Sequence, residues 1–267
     1  AGQATTGILS ASVLVRRAAF SINLTPSHNP LHYGGFKYNA ADAGPAASEL
    51  TNRITHNAKQ IIADRSSPPL PDDKVLQRPL PEVPGLEMID ALADWQQLVR
   101  DNRDRHGLDY DNLITAFGSH QELAVAIDCV HGASRVSISD FFGGEHSSRL
   151  HILRGDPDVT FGGIAPEPSS KNMQPTMNDL QGRRERLKLG AVIDPDGDRI
   201  RFTDGHAEIS MNQFGAMAYH FLHEIKHKKG MVAKTVATSN LANAVAEQLG
   251  EEIFEPRVGF KEFKPVI

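Results

Sequence analysis

The sequence predicts an α/β protein built on largely parallel sheets, and three observations carry that reading. Leu123-Ala124-Val125-Ala126-Ile127-Asp128 is an apolar run without polar alternation, the pattern of a strand buried on both faces. Strand-like segments near 150–153 and 189–193 alternate with helix-like segments at 136–142 and 177–187, as in successive right-handed crossovers. The 267 residues have room for about two domains, and 40% apolar with 23% charged residues is the balance of a folded, water-soluble chain.

Taken in order, the first elements are a short helix over 8–15 and a strand over 18–24, which runs into the polar loop Thr25-Pro26-Ser27-His28-Asn29-Pro30. The two prolines fix φ at either end of that loop, holding Ser27 on a stiff turn. Gly34-Gly35 supplies backbone angles for close approach to a ligand, and Lys37 and Asn39 then flank Tyr38 ahead of another turn. Leu50, Ile54, Ala58 and Ile61 mark one face of an amphipathic scaffold helix. A proline-rich connector at 66–71 and 79–84 is too poor in donors for regular structure. A helix over 88–99 follows, with Ile89, Leu92, Trp95 and Val99 on one face, then a charged surface turn over 102–110. Beyond the strand at 189–193 an extended segment covers 200–202, and Asp204-Gly205 marks a tight turn. A helix over 214–225, a strand over 232–236 and a helix over 241–249 begin a further α/β unit.

Composition excludes several function classes. Twenty-eight basic against thirty-three acidic residues leave a net charge of −5, which is no nucleic-acid-binding signature. No apolar run approaches the ~20 residues of a membrane span, and the first residues lack the regions of a signal peptide. Cys129 is the single cysteine, so no internal disulfide or cysteine zinc cluster forms, and a reducing cytoplasm is the expected location. The expected partner is a small molecule, with no nucleic acid and no membrane.

The chemistry concentrates in two loops. Asp194-Pro195-Asp196-Gly197-Asp198 places three mutually repelling carboxylates within five residues, and a hard divalent cation with oxygen ligands relieves that repulsion. Pro195 and Gly197 permit the sharp path that turns the aspartates inward. A calcium helix-loop-helix fails on position, because the glycine is fourth rather than sixth and Gly205 stands where the twelfth-position glutamate belongs. A plain aspartate-rich surface turn stays open on these residues alone. Arg199 can pair with an aspartate or take phosphate bidentately. Ser27 and His28 as a hydrolase pair are disfavoured, because neighbours in an extended turn point apart and no Gly-x-Ser-x-Gly elbow is present. Arg183, Arg184, Arg186 and Lys188 read as an exposed helix face, and Lys171 as a candidate for facing the active cleft.

In that order, Thr25 to Pro30, Gly34-Gly35-Phe36-Lys37 and Asp194 to Arg199 resemble the phosphoserine loop, lysine segment and magnesium loop of the α-D-phosphohexomutases, the phosphoglucomutase and phosphomannomutase family. The resemblance implies repeated three-layer α/β domains with mixed, mostly parallel sheets, the first and last incomplete. It divides the chain at 1–115, 116–206 and 207–267, a central fragment without the family's later Glu-Glu-Ser sugar loop and fourth-domain phosphate loop, and expected to be inactive alone. It implies interconversion of hexose 1-phosphate and hexose 6-phosphate through a phosphoserine and a sugar bisphosphate. Ser27 is then the phosphoryl carrier, Lys37 a general acid/base with a lowered pKa, and His28 a sugar or phosphate contact. Mg²⁺ is held by Asp194, Asp196, Asp198 and an oxygen of phosphorylated Ser27, with a hexose 1,6-bisphosphate as activator. Arg199, Gly259 and Lys261 are implied to contact substrate, and Val258-Gly259-Phe260-Lys261 leans toward the glucose-preferring branch. The competing classes are a metal-dependent phosphatase-like enzyme and a non-catalytic metal-binding module.

Overall fold

A computed structural model of the chain describes residues 2–30, 32–64, 79, 82–144 and 148–266. Most of the expected proline-rich connector lies outside them. Thr5 starts α1 (Thr6–Val15) by accepting the Ile8 N–H through Oγ1 at 3.4 Å, and the helix buries Ala11, Ser12 and Val13. β1 (Phe20–Leu24) pairs antiparallel with β2 (Phe36–Ala40), Ile22 opposite Tyr38. The sequence places no strand at β2, because that segment is short and its hydrogen-bond partners come from β1 across the serine loop. In α2 (Ser48–Ala63) only Leu50 and Ile54 of the expected apolar stripe are half-buried, while Ala58 and Ile61 are exposed. α3 (Ala91–Asp101), capped by Asp90 on the Ala93 N–H, packs along α1, and Arg16 pairs with buried Asp94 at 2.6 Å.

Where a surface turn is expected over 102–110, a short helical turn at Arg103–His106 is followed by α4 (Tyr110–Ser119), capped by Asp109 on the Asn112 N–H at 3.1 Å. The main sheet has the order β4-β3-β5-β6-β7. β3 (Leu123–Asp128) lies parallel to both β4 (Leu150–Leu153) and β5 (Leu187–Ile193), and β6 (Ile200–Thr203) and β7 (Glu208–Ile209) add antiparallel strands at the β5 edge. One face carries Phe117, Val125, Ile127 and Ile138, and the other carries Leu180, Met173 and Val192 under α5 (Ser170–Gln181). A Cβ on Gly190 would stand 2.7 Å from Thr176 Cγ2 and 2.5 Å from Thr203 Cγ2, so glycine there lets helix and strand close up. α5 begins earlier than the helix expected over 177–187. Ser169 caps it by accepting the Asn172 N–H at 3.3 Å, and Pro175 falls in its second turn, where a single helix bond is lost.

α6 (Met211–His220) opens with a capping box between Ser210 and Gln213 and continues into a π turn at Phe221–Ile225. β8 (Val232–Ala233) pairs parallel with β9 (Ile253–Phe254), with α7 (Leu241–Leu249) between them in sequence. The observed α/β elements and mixed sheet agree with the expected fold class. No helix among the described residues is long and apolar enough to cross a membrane.

Candidate active site

Three strand ends build the site. Asp194 follows β5 directly, Thr25 and Ser27 follow β1, and Lys37 lies on β2. The aspartate loop folds on itself through Asp194 N–H to Arg199 O at 3.1 Å and Gly197 N–H to Asp194 O at 3.0 Å, and Asp194 Oδ1 accepts the Asp198 and Arg199 N–H groups at 3.0 Å each. Gly197 adopts φ 71°, and a Cβ there would meet the Thr5 side chain at 2.6 Å. The loop is pinned from outside by Thr6 N–H on Asp196 O at 2.8 Å and Ala133 N–H on Pro195 O at 2.7 Å.

Asp194 and Asp196 are buried and Asp198 is at the surface; one oxygen from each lies within 4.8 Å of the others. Ser27 reaches this cluster: its hydroxyl donates to Asp194 Oδ2 at 3.3 Å. Thr25 Oγ1 donates to Asp196 Oδ2 at 3.2 Å while accepting the Ser27 N–H at 2.8 Å. Lys37 Nζ pairs with Asp196 at 2.7 Å and also with Asp198. Burial pushes the Asp194 carboxyl up to about 6, with Asp196 and Asp198 adding repulsion. Burial also opposes charge on Asp196, yet hydrogen bonds from Lys37 and Thr25 hold it below the usual carboxylate range.

The donor set fits a hard cation. Asp196 Oδ1 is buried and has no hydrogen-bond partner among the described residues, an unneutralised negative oxygen that oxygen-seeking Mg²⁺ would satisfy. Asp194, Asp196 and Asp198 would hold it.

Two expectations change in detail. Ser27 is not extended but left-handed, with φ 56°, and this brings His28 Nδ1 to 3.4 Å from Ser27 Oγ. His28 Nε2 accepts from Arg199 Nη1 at 3.1 Å, so Nδ1 carries the proton and faces Ser27 as a donor. That tautomer is the wrong one for a base acting on Ser27, which removes the hydrolase pair on firmer ground than backbone direction. Lys37 is the second. Burial disfavours its ammonium, but Asp196 and Asp198 outweigh that and raise its pKa instead of lowering it.

Other predicted residues fall elsewhere. Lys261 hydrogen-bonds the Ser48 hydroxyl at the start of α2, and Gly259 adopts φ 141° in the segment before it; neither contacts the aspartate cluster. Asn39 is buried and donates to Ser10 Oγ at 3.0 Å, a scaffold contact. The basic cluster expected on an exposed helix face lies past the end of α5 instead: Arg183, on Ser148 O at 2.8 Å, and Arg186, paired with Glu122 at 2.9 Å, sit in the connection to β5, and Lys188 is on β5 itself. Sequence reasoning misses Thr25, whose signal was present: a threonine two residues before a left-handed serine is positioned to cap that turn.

Three family models match the chain: the phosphoglucomutase/phosphomannomutase alpha/beta/alpha domain I at residues 1–65, domain II at 109–207 and domain III at 210–267. Among curated relatives, phosphoglucomutase 1 of Drosophila melanogaster is 28% identical over 96% of this chain and 49% of its own length. The cytoplasmic phosphoglucomutase of Pisum sativum is 28% identical over 92% of this chain and 45% of its own. The chain thus spans about half the length of the relatives it matches. The solved open form of the Paramecium phosphoglucomutase pp63/parafusin shares the fold, with a TM-score of 0.72 and 22% identity over 98% of this chain and 50% of that one. Matched in succession by the first three domain models and carrying the serine and aspartate loops in contact, the chain belongs to the phosphoglucomutase/phosphomannomutase family.

Proposed function

We propose that this chain carries the phosphoryl-transfer centre of a hexose-phosphate mutase that interconverts hexose 1-phosphate and hexose 6-phosphate. The observation that supports it best is the hydrogen bond from Ser27 Oγ to Asp194 inside a carboxylate cluster that keeps one buried oxygen unpartnered. A hard cation such as Mg²⁺, when bound by Asp194, Asp196 and Asp198, neutralises phosphate oxygens and stabilises the charge on the transferred group.

Ser27 carries the phosphoryl group. In the first half-reaction the P–O bond to Oγ breaks and a P–O bond to a sugar hydroxyl forms, the proton lost by that hydroxyl being matched by the one Ser27 Oγ gains. The sugar bisphosphate reorients, its other phosphate returns to Oγ, and Oγ gives up its proton as the sugar oxygen left behind regains one. Lys37, held as an ammonium by Asp196 and Asp198, is our candidate donor for that proton and, once it has given it up, the acceptor in the reverse direction. The left-handed turn aims Ser27 at the cluster, and Arg199 and His28 line its approach. A hexose 1,6-bisphosphate serves as activator by charging Ser27. The free buried thiol of Cys129 and the relative named as cytoplasmic support a cytoplasmic location.

Intact-mass measurement before and after incubation with glucose 1,6-bisphosphate and Mg²⁺ tests the reading. The chain should gain one phosphoryl group, mapped to Ser27, and Ser27→Ala should gain none while melting unchanged. Phosphate on another residue alone, or phosphate released steadily to water, would overturn it.

A further inference from the structure

Gly132 is a glycine for room and not for conformation. Its φ of −78° and ψ of −179° are extended backbone that any residue adopts. A Cβ there would nonetheless stand 2.5 Å from Pro195 Cα, 2.8 Å from Pro195 O and 2.9 Å from Cys129 O, all of them backbone atoms. The closest of these is about 1 Å short of ordinary carbon contact. Pro195 separates Asp194 from Asp196, so Gly132 lies against the backbone that carries two of the three carboxylates. Its neighbour Ala133, the first residue of a helical turn (Ala133–Val136), donates its N–H to Pro195 O at 2.7 Å.

The segment behind Gly132 is built not to yield. Val130 and His131 are both left-handed, with φ 45° and 56°, and Val130 is β-branched and fully buried with Met173 and Val192. Two such residues in succession persist only where the surroundings over-determine them. Here the Val130 N–H is taken by Asp128 Oδ1 at 2.9 Å, the His131 N–H by Arg154 O at 2.9 Å and the Gly132 N–H by Cys129 O at 2.7 Å, while His131 Nδ1 donates to Asp156 O at 2.8 Å. Asp128 and Arg154 are themselves joined at 2.6 Å. The turn is thereby fastened to the ends of β3 and β4, and Gly132 and Ala133 bear on Pro195.

We infer that the Val130-His131-Gly132 turn is a positioning element for the cation site. It fixes the path of the aspartate loop, and with it the spacing of the Asp194, Asp196 and Asp198 oxygens that selects Mg²⁺ over a larger divalent cation. This rests on the cation reading of that loop. Mg²⁺ demands near-octahedral ligands at about 2.0–2.1 Å, whereas Ca²⁺ accepts about six to eight oxygens at about 2.3–2.6 Å in looser geometry. A displaced Pro195 therefore weakens Mg²⁺ far more than Ca²⁺. A turn that only stabilised the fold would not discriminate between the two cations.

The test is calorimetric titration of the 267-residue chain with Mg²⁺ and, separately, with Ca²⁺, with a metal-free melting curve for every variant. Gly132→Ala adds the Cβ that pushes on Pro195. Ala133→Pro replaces the N–H on Pro195 O by a ring carbon, at the first position of a helical turn, where the φ of proline is accepted. Each should weaken Mg²⁺ by roughly tenfold or more, the usual effect of removing a group that orients a metal ligand. Each should weaken Ca²⁺ by less than about threefold, so the Mg²⁺ to Ca²⁺ affinity ratio falls. Gly190→Ala is the comparison: its Cβ meets the side chains of Thr203, Thr176 and Leu180, so it should lower the melting temperature and leave that ratio at the parent value. Equal loss of both cations in the two turn variants, unchanged affinities in both, or the same fall in ratio for Gly190→Ala would each overturn the inference. Mg²⁺ binding by the parent chain is read in the same titration, so the cation site can stand while its positioning by this turn falls.

Discussion

Two buried carboxylates at neighbouring strand ends have opposite fates. Asp128 closes β3 and Asp194 follows β5, the strand paired with it in parallel, with Asp128 opposite Val192. Asp128 is fully satisfied: Arg154 meets it through Nε at 2.8 and 2.9 Å and through Nη2 at 2.6 Å, and the Val130 N–H adds a fourth bond at 2.9 Å. Arg154 is itself held by Asn172, whose amide spans Ala165 O and Glu167 O. In the aspartate loop Lys37 pairs with Asp196 and Asp198 while Asp194 has no cation beside it, and Asp196 Oδ1 is left without a partner among the described residues. A sealed ion pair stabilises a fold, whereas an under-neutralised one anticipates a ligand.

The largest effect that would break this contrast is at the sealed pair. Asp128→Ala leaves the Arg154 charge buried and unpaired, and should cost about 3–5 kcal/mol of stability. Chemical denaturation measures it. A loss below about 1 kcal/mol would mean that the pair is solvated and the contrast false.

The pH response of the adjoining residue comes next. Burial, reinforced by the Asp128 charge, pushes the Cys129 thiol up from its ordinary 9.0 to about 11. The folded state therefore keeps its proton where the unfolded state loses it. This contribution is complete below pH 9 and disappears as pH rises through 11, about 2–3 kcal/mol in all. Cys129→Ser should flatten the alkaline limb of stability against pH by that amount. Rapid alkylation of native Cys129 at pH 8 would contradict the burial it depends on.

The aspartate loop should respond in affinity rather than in folding. Asp196→Ala removes a cation ligand together with the unpartnered oxygen, so Mg²⁺ should bind at least roughly tenfold more weakly and the Mg²⁺-dependent rise in melting temperature should shrink accordingly. An unchanged dissociation constant by calorimetry would sink the metal assignment.

How much of this was legible follows from where the partners lie. Three aspartates, a proline and a glycine within one short loop mark a candidate cation site locally, and the serine loop is likewise local. Asp128 looks like any strand-end residue, because Arg154 and Asn172, which decide its role, lie far along the chain. β2 was hidden for the same reason. α4 is different: Tyr110, Leu113, Ile114 and Phe117 have helical spacing behind an Asp109 cap, but the charged run before them draws the segment into a turn. The raised pKa of Lys37 could not be read at all, since Asp196 and Asp198 reach it only across the β1–β2 hairpin. Nor could the place of Lys261 beside Ser48.

The smallest effect separates the regions most cleanly, through two threonines that do the same local job. Thr25 Oγ1 takes the Ser27 N–H and donates to Asp196; Thr203 Oγ1 takes the Gly205 N–H at 3.0 Å and donates to Ala207 O at 2.7 Å. Thr→Val keeps the shape at either site and removes both bonds, so each variant should lose about 1 kcal/mol of stability. Their second readout should differ. Thr25→Val frees the Ser27 turn and takes a donor from Asp196, so both Mg²⁺ affinity and phosphate incorporation at Ser27 should change. Thr203→Val alters only the turn between β6 and β7, and both should stay at the parent value. Equal shifts in Mg²⁺ affinity from the two would mean that the aspartate loop senses general stability, and Thr25 would lose its place in the site.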